Sequence, residues 1–353
     1  MKLPVRRYLE FGALCTLAIA LLWWFGRKLD WTEVHLALKH ANWYLLTLAI
    51  GIICLAYFFR ALRWGALLVP LGPARLRDLF AATTLGFSAV FLIGRVGEVV
   101  RPAVLTMRDP RVRPTSSFVT IFIERIYDMM AVLVLFSANL LWFAPPNKSP
   151  GELWRVRLSG IVLFSAALLG IVLLVLFRRN SQTVIESLRG ALKRPFIPSA
   201  VTRIIISLLQ QLANSLRVLV DARELAVTVG WTAIVWFSIT AASLLVFRAF
   251  GLPFGPAEAV FVLGWSLAGS LVPTPGGAAG AFHATTAAGL IFLGVGREIA
   301  AAVSIVLHVV AFGPALLFGI FYFVKGDMNI SRMKSLLRNE PAATAMDNSP
   351  APN

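Results

Sequence analysis

Three short stretches carry side chains whose types and spacing suit chemistry more than packing. In "GRVGEVVRP", Arg95, Glu98 and Arg101 stand three residues apart. In a helical segment they share one face, and Glu98 can pair with either arginine. Gly94 and Gly97 permit close approach or unusual backbone angles, and Pro102 frees the carbonyl of Glu98 if the segment is helical. In "ERIYD", Glu124 and Asp128 are four apart, so the two acids face the same way and repel. Counted from Ser116, Glu124 lies about 12 Å along a helix. Carboxylates at such depth in an apolar run need a cation, a proton or water. Arg95, Arg101 and Arg125 are the available cations. In "SLVPTPGGAAGAFH", Pro273, Thr274, Pro275, Gly276, Gly277 and Gly280 interrupt an apolar region and suit the unwound tip of a hairpin. A half-helix starting near Gly280 would aim its N–H groups at that tip and favour an anion such as phosphate. His283, in its first turn, is placed to donate a hydrogen bond or to titrate.

Each stretch also has a plainer reading. The arginines of the first suit a helix end that snorkels to an interface. The acids of the second suit an internal salt-bridge lock that touches no substrate. His283, and His308 further on, suit satisfied packing residues in apolar helices.

The elements that must carry these residues are membrane helices. Of 353 residues, 58% are hydrophobic and 14% charged, against about a quarter charged in a soluble domain. Apolar runs long enough to span recur at roughly 8–25, 42–60, 116–143, 158–177, 226–249 and 300–324. The short alternating segments of a membrane β-barrel are missing. The expected fold is all-α, with about six crossing helices and two re-entrant broken-helix hairpins at 79–107 and 257–295. The first 325 residues read as a single transmembrane domain with a cytoplasmic amphipathic insertion at 181–223. The polar tail, 326–353, reads as disordered. The first apolar run ends in Trp23, Trp24 and Phe25 without a small-residue cleavage site, so it reads as an uncleaved helix with an interfacial aromatic belt.

Charge sets the expected topology. With both hairpins returning to the side they entered from, 24 Lys and Arg residues fall on the face that holds both termini and eight on the other. The positive-inside rule makes that face cytoplasmic, in a plasma or inner cell membrane. The first hairpin then enters from the cytoplasm and the second from outside. Opposed broken elements in corresponding places point to an inverted repeat around a central binding site. The formal net charge of +16 fits loops that meet anionic lipid rather than nucleic acid. Cys15 and Cys54 both lie in apolar runs, so no disulfide framework is implied. No nucleotide loop, metal constellation or serine-nucleophile elbow is present, and no cofactor is expected.

Three of these motifs, in order, resemble one family. "RVGEVVRP" is similar to its Arg-x-Gly-Glu-x-x-Arg motif, "ERIYD" to its Glu-Arg-x-x-Asp motif and "PTPGG" to its Pro-Thr-Pro-Gly-Gly motif. "RALRW", Arg60 to Trp64, resembles the arginine-rich end of its second helix. The family is the lysylphosphatidylglycerol synthase transmembrane, or flippase-like, family, and the likeness runs from about residue 8 to 325. It implies a lipid translocator fold whose larger members carry a soluble aminoacyl-transfer domain, which this sequence does not show. Many members follow Pro-Gly-Gly with Gly and then Glu, whereas here His283 stands near the place of that acid.

The resulting expectation is a flippase-like protein that moves a polar or anionic phospholipid or lipid-linked substrate between leaflets, passively or coupled to an ion. Arg95, Glu98, Arg101, Glu124, Arg125, Asp128 and His283 would line a central cavity between the hairpins, with Gly94, Gly97 and the "PTPGG" stretch at their tips. Membrane lipids are the expected partners, with room for a separate lipid-modifying enzyme and for an oligomer. The competing readings are an intramembrane transferase with Glu124 or Asp128 as base, and a non-transporting scaffold.

Overall fold

The computed structural model describes residues 5–69, 74–112, 114–143, 150–192, 206, 210 and 222–325, and these are helical with short connections. The polar tail and most of the amphipathic stretch before residue 221 lie outside the described residues. Helix α1 (Val5–Gly26) ends in a turn, and α2 (Trp31–His40) leaves it at 85°. Asp30 fixes the start of α2 by accepting from the N–H groups of Thr32 and Glu33. Asn42 does the same for α3 (Trp43–Leu68) at Tyr44 and Leu45. Helix α3 therefore runs eight residues past the expected end of its span at 60. The arginines of "RALRW" sit on a continuing helix and not in a loop.

The first interrupted region is an antiparallel hairpin. Its outward arm is α4 (Leu76–Ile93). A 3₁₀ segment (Gly94–Val99) turns the chain, and α5 (Val100–Arg108) returns. Arg108 pairs with Asp78 at the base, at 2.9 Å. A Cβ on Gly86 would lie 2.6 Å from that of Arg101, and one on Gly97 would overlap the Ala89 backbone. Only glycine lets the two arms approach so closely. Pro102 falls in the first turn of α5, where no N–H is needed, so it starts a helix and breaks none.

After α6 (Pro114–Trp142), α7 (Pro150–Arg179), α8 (Ser181–Leu192) and α9 (Ala222–Ala249) comes the second hairpin, built from α10 (Pro256–Ser270) and α11 (Ala279–Phe292). Its arms are joined by Thr286 donating to Ser266 at 2.8 Å and by Phe261 against Phe292 at 5.3 Å between centroids. Gly269 lies where a Cβ would overlap Thr285, and Gly289 packs on Trp265. Gly280, expected at the tip, is instead inside α11. It packs against α1, where a Cβ would sit 2.6 Å from that of Leu21.

Helix α12 (Arg297–Val324) orders the whole. Its early part carries α11 and its later part carries α4. His308 meets Phe282 and Phe91, Ala315 accepts from Ser88, and Tyr322 stacks near Phe80 and Arg108. At 28 residues it is about 42 Å long. The bases of the two hairpins thus lie at opposite ends of α12 and their tips meet near its middle. The order helix–hairpin–helix occurs twice, as α3–α4/α5–α6 and α9–α10/α11–α12. Helices α3 and α9 pack antiparallel, with Asn42 donating to the Ala249 carbonyl and Phe59 facing Trp231. This is the arrangement expected of an inverted repeat.

The chain is an all-α membrane protein. Five helices are long and apolar enough to cross a bilayer, or six if the bent pair Gly12–Gly26 and Trp31–His40 forms one span. One of the five is α4, the outward arm of the first hairpin.

Candidate functional site

Six charged side chains gather in a cluster between α3, α5, α6 and α9. Arg63 grips Asp128 with both terminal nitrogens, at 2.6 and 3.1 Å, and reaches Glu124 at 2.8 Å. It also donates to the Thr232 hydroxyl at 3.2 Å. Arg101 donates to the same Glu124 oxygen at 2.8 Å. Arg125 lies 3.4 Å from both acids, and Arg60 3.9 Å from Asp128. Glu124 and Asp128 do face the same way, and their repulsion is relieved by four guanidiniums. Six charged side chains leave an excess of two positive charges in the interior of a membrane protein.

Packing fixes the geometry. The Arg101 guanidinium lies over the Trp64 ring at 4.1 Å, a cation–π contact strengthened by burial. Trp64 is held in turn by its indole N–H on the Thr120 hydroxyl, at 2.9 Å. Arg60 lies over Phe87 at 5.0 Å. Arg63 and Glu124 are fully buried. Arg125, with 32% of its side chain exposed, is the accessible edge. The Nε and Nη2 atoms of Arg101, the free oxygen of Glu124 and the Ser117 hydroxyl are buried without a hydrogen-bond partner. Such groups are costly to bury, and Arg101 offers two of its donors to nothing in the protein.

Arg95 and Glu98 pair with each other rather than with this cluster, although the charge of Glu98 attracts Arg125. The 3₁₀ turn breaks the even spacing that would align them with Arg101, so Arg101 points inward while Arg95 stays at the tip. Arg95 lies 3.8 Å from Glu98, with 43% and 30% of their side chains exposed. Its guanidinium donates across to the Ser270 carbonyl at 3.1 Å. The cation that completes the acids is therefore Arg63 and not Arg95. Arg63 lies three residues past the apolar run 42–60, where a charge reads as part of a loop, yet the helix continues through it to Leu68. The resemblance of "RALRW" to an arginine-rich helix end was the signal for it.

The two hairpin tips meet. The N–H groups of Gly276 and Gly277 both donate to the Phe91 carbonyl, at 2.7 and 3.1 Å. Gly276, Gly277 and Ala278 take left-handed angles with φ of 76°, 61° and 62°, a conformation that favours glycine. Gly94 packs against the Thr274 carbonyl. These two N–H groups of the second tip are thus engaged by the first hairpin, while the half-helix N–H groups expected to favour an anion belong to α11, which starts at Ala279.

His283 also sits apart from the charged cluster. Its Nε2 is 3.3 Å from Nδ1 of His308, inside a box of phenylalanine rings beneath the second tip. A separate apolar groove between α6, α9 and α10 is lined by Leu135, Phe136, Trp236, Leu263 and Gly264. It begins one turn beyond Asp128 on α6. Among the described residues no group of three or more metal-ligating side chains is present.

A family model described as lysylphosphatidylglycerol synthase TM region matches residues 13–319. No curated protein matches the chain.

Proposed function

The chain belongs to the lysylphosphatidylglycerol synthase TM-region family, a membrane domain associated with lipid handling, and from that premise we propose that it moves an anionic lipid headgroup between leaflets. The observation that carries this reading is the buried excess of two positive charges, with two Arg101 donors unpartnered. A phosphate is the group such a site attracts: bidentate guanidinium recognition suits its oxygens. Arg125 offers the first contact at the exposed edge, and Arg101 completes the site when α5 shifts. Glu124 and Asp128 keep the arginines in place and reduce their mutual repulsion.

In this reading the two hairpins are re-entrant and the inverted halves rock about the joint of their tips. Both termini are cytoplasmic. Arg60, Arg63 and Arg101 are buried charges and leave the loop count, yet the imbalance stays at 21 against eight. The cluster then lies in the half nearer the cytoplasm. Against Glu124 as the base of a transferase stand the three guanidiniums that hold one of its oxygens and the burial of the other.

The test is exchange of fluorescently labelled phosphatidylglycerol in vesicles holding the full chain. Arg101→Gln with Arg125→Gln is expected to slow it at least about tenfold, a barrier raised by about 1.4 kcal/mol or more. Unchanged exchange by a variant that remains folded would remove the cluster from lipid movement.

A further inference from the structure

A second buried polar site lies outside the charged cluster. His283 of α11 and His308 of α12 are in contact nitrogen to nitrogen at 3.3 Å, and both residues are buried. Their outer nitrogens, Nδ1 of His283 and Nε2 of His308, are buried without a hydrogen-bond partner. The groups that face them are rings and backbone. Phe25 of α1 stacks on His283; Phe282, Phe312 and Phe91 of α4 surround His308. From α3, Tyr57 reaches the helix of His308, its hydroxyl donating to the Ala311 carbonyl. Among the described residues no salt bridge reaches either imidazole. A metal would need more donors than the pair supplies.

We propose that His283 and His308 form a proton-binding site that controls the joint between the two hairpin tips. Resting on the lipid reading above, this makes the proton the ion coupled to headgroup movement. Two neutral imidazoles share one N–H···N bond and leave one outer nitrogen as a bare lone pair. One further proton fills that lone pair and makes the pair a cation. No atoms other than the proton are exchanged. The site lies directly beneath the joint: a Cβ on Gly277 would be 3.0 Å from Nε2 of His308. Gly277 and Gly276 are the residues whose N–H groups hold Phe91, and the Phe91 ring meets His308 edge-on at 5.8 Å.

The direction of coupling follows from desolvation. With the tips joined, an imidazolium would sit desolvated among phenylalanine rings, with only the backbone of Ser304 and Gly276 to offset its charge. Cation–π attraction offsets part of that cost, and water offsets more once the tips part. The parted state therefore binds the proton better, and by linkage the proton favours the parted state. Ionisable residues at membrane depth serve proton relays for the same reason.

The experiment reads the joint directly. Spin labels are placed at Leu92→Cys and Leu271→Cys, exposed positions beside the two tips, in the full chain with Cys15 and Cys54 replaced by serine. The protein sits in vesicles of phosphatidylcholine and phosphatidylglycerol, and label distances are measured from about pH 8 to about pH 4, the range around imidazole titration. Acid is expected to raise the long-distance population about threefold or more. With His283→Gln and His308→Gln together the distribution is expected to be the same throughout. A pH-insensitive distribution in the histidine-bearing protein overturns the proposal without need of the variant. So does a response that persists in the double variant or in either single His→Asn variant. Labelled phosphatidylglycerol exchange in the same vesicles separates the readings: responsive tips without exchange refute the lipid reading alone, and exchange with unresponsive tips refutes the proton site alone.

Discussion

The first hairpin is held by charge, between its arms and to α6, whereas the arms of the second are joined by hydroxyls, rings and close backbone approach. Along the first, Arg108 holds Asp78 at the base and Arg101 holds Glu124 of α6. Along the second, Thr286 holds Ser266, Phe261 faces Phe292, and Gly289 lets Trp265 pack on the opposite arm. Both use glycine wherever the arms nearly touch. The difference lies in what each anchor costs and what it permits. A buried ion pair is strong only while complete, because the partner left behind is a bare charge. A hydroxyl pair contributes less and leaves less exposed when broken. The charged hairpin is thus suited to an arm that exchanges one anion for another, and the neutral hairpin to a fixed abutment that bears the joint.

The largest effect expected from breaking this contrast is at Glu124. Glu124→Leu removes the acid shared by Arg63, Arg101 and Arg125, and is expected to destabilise the protein by about 3–5 kcal/mol. Denaturant unfolding in detergent measures it. Loss below about 1 kcal/mol would mean that the first hairpin is held by packing alone. The matching change in the second hairpin is Thr286→Val. It removes one buried hydrogen bond of 2.8 Å, while Ser266 still donates to the Val262 carbonyl. The expected cost is about 1 kcal/mol, measured in the same way. Equal losses at the two sites would abolish the distinction.

The sequence made the two hairpins legible through glycine and proline, since neither residue type suits the interior of an ordinary span. It made the two acids of "ERIYD" legible because charges four apart in an apolar helix must share a neighbour. It concealed Arg63, whose position past the apolar run resembles a loop charge until α3 is seen to continue to Leu68. The grouping of Arg95, Glu98 and Arg101 failed for a local reason, because a 3₁₀ turn changes the angle between successive side chains. The contact of Phe91 with Gly276 and Gly277, and of His283 with His308, depends on packing between elements far apart in the chain. No spacing in the sequence encodes such contacts. They arise from the way α12 carries one hairpin on each half.

The smallest effect separates the two hairpins by a carboxylate step at the base of the first, at lower pH than the imidazole titration proposed beneath the second. At the base of the first, Asp109 follows α5 and accepts from Arg111 at 2.8 and 2.7 Å and from the Arg75 N–H at 3.4 Å. These donors, led by the Arg111 side chain, lower the carboxyl to about 2 from its ordinary 3.8. A carboxyl whose folded value is depressed contributes stability that is complete above the unfolded value and is lost as pH falls through the folded one. The base of the first hairpin is therefore expected to loosen between about pH 4 and pH 2, and Asp109→Asn to loosen it at neutral pH and remove that acid step. Arg111 is exposed, so salt screens the pair and the effect is modest. The second hairpin has no acid along its arms beyond Glu258 at its start. Amide exchange over 100–112 is expected to rise in this acid window while that over 279–292 stays level after correction for intrinsic rates. A parallel rise in both segments would mean that the hairpins open as one unit and that their different anchors do not make them separable.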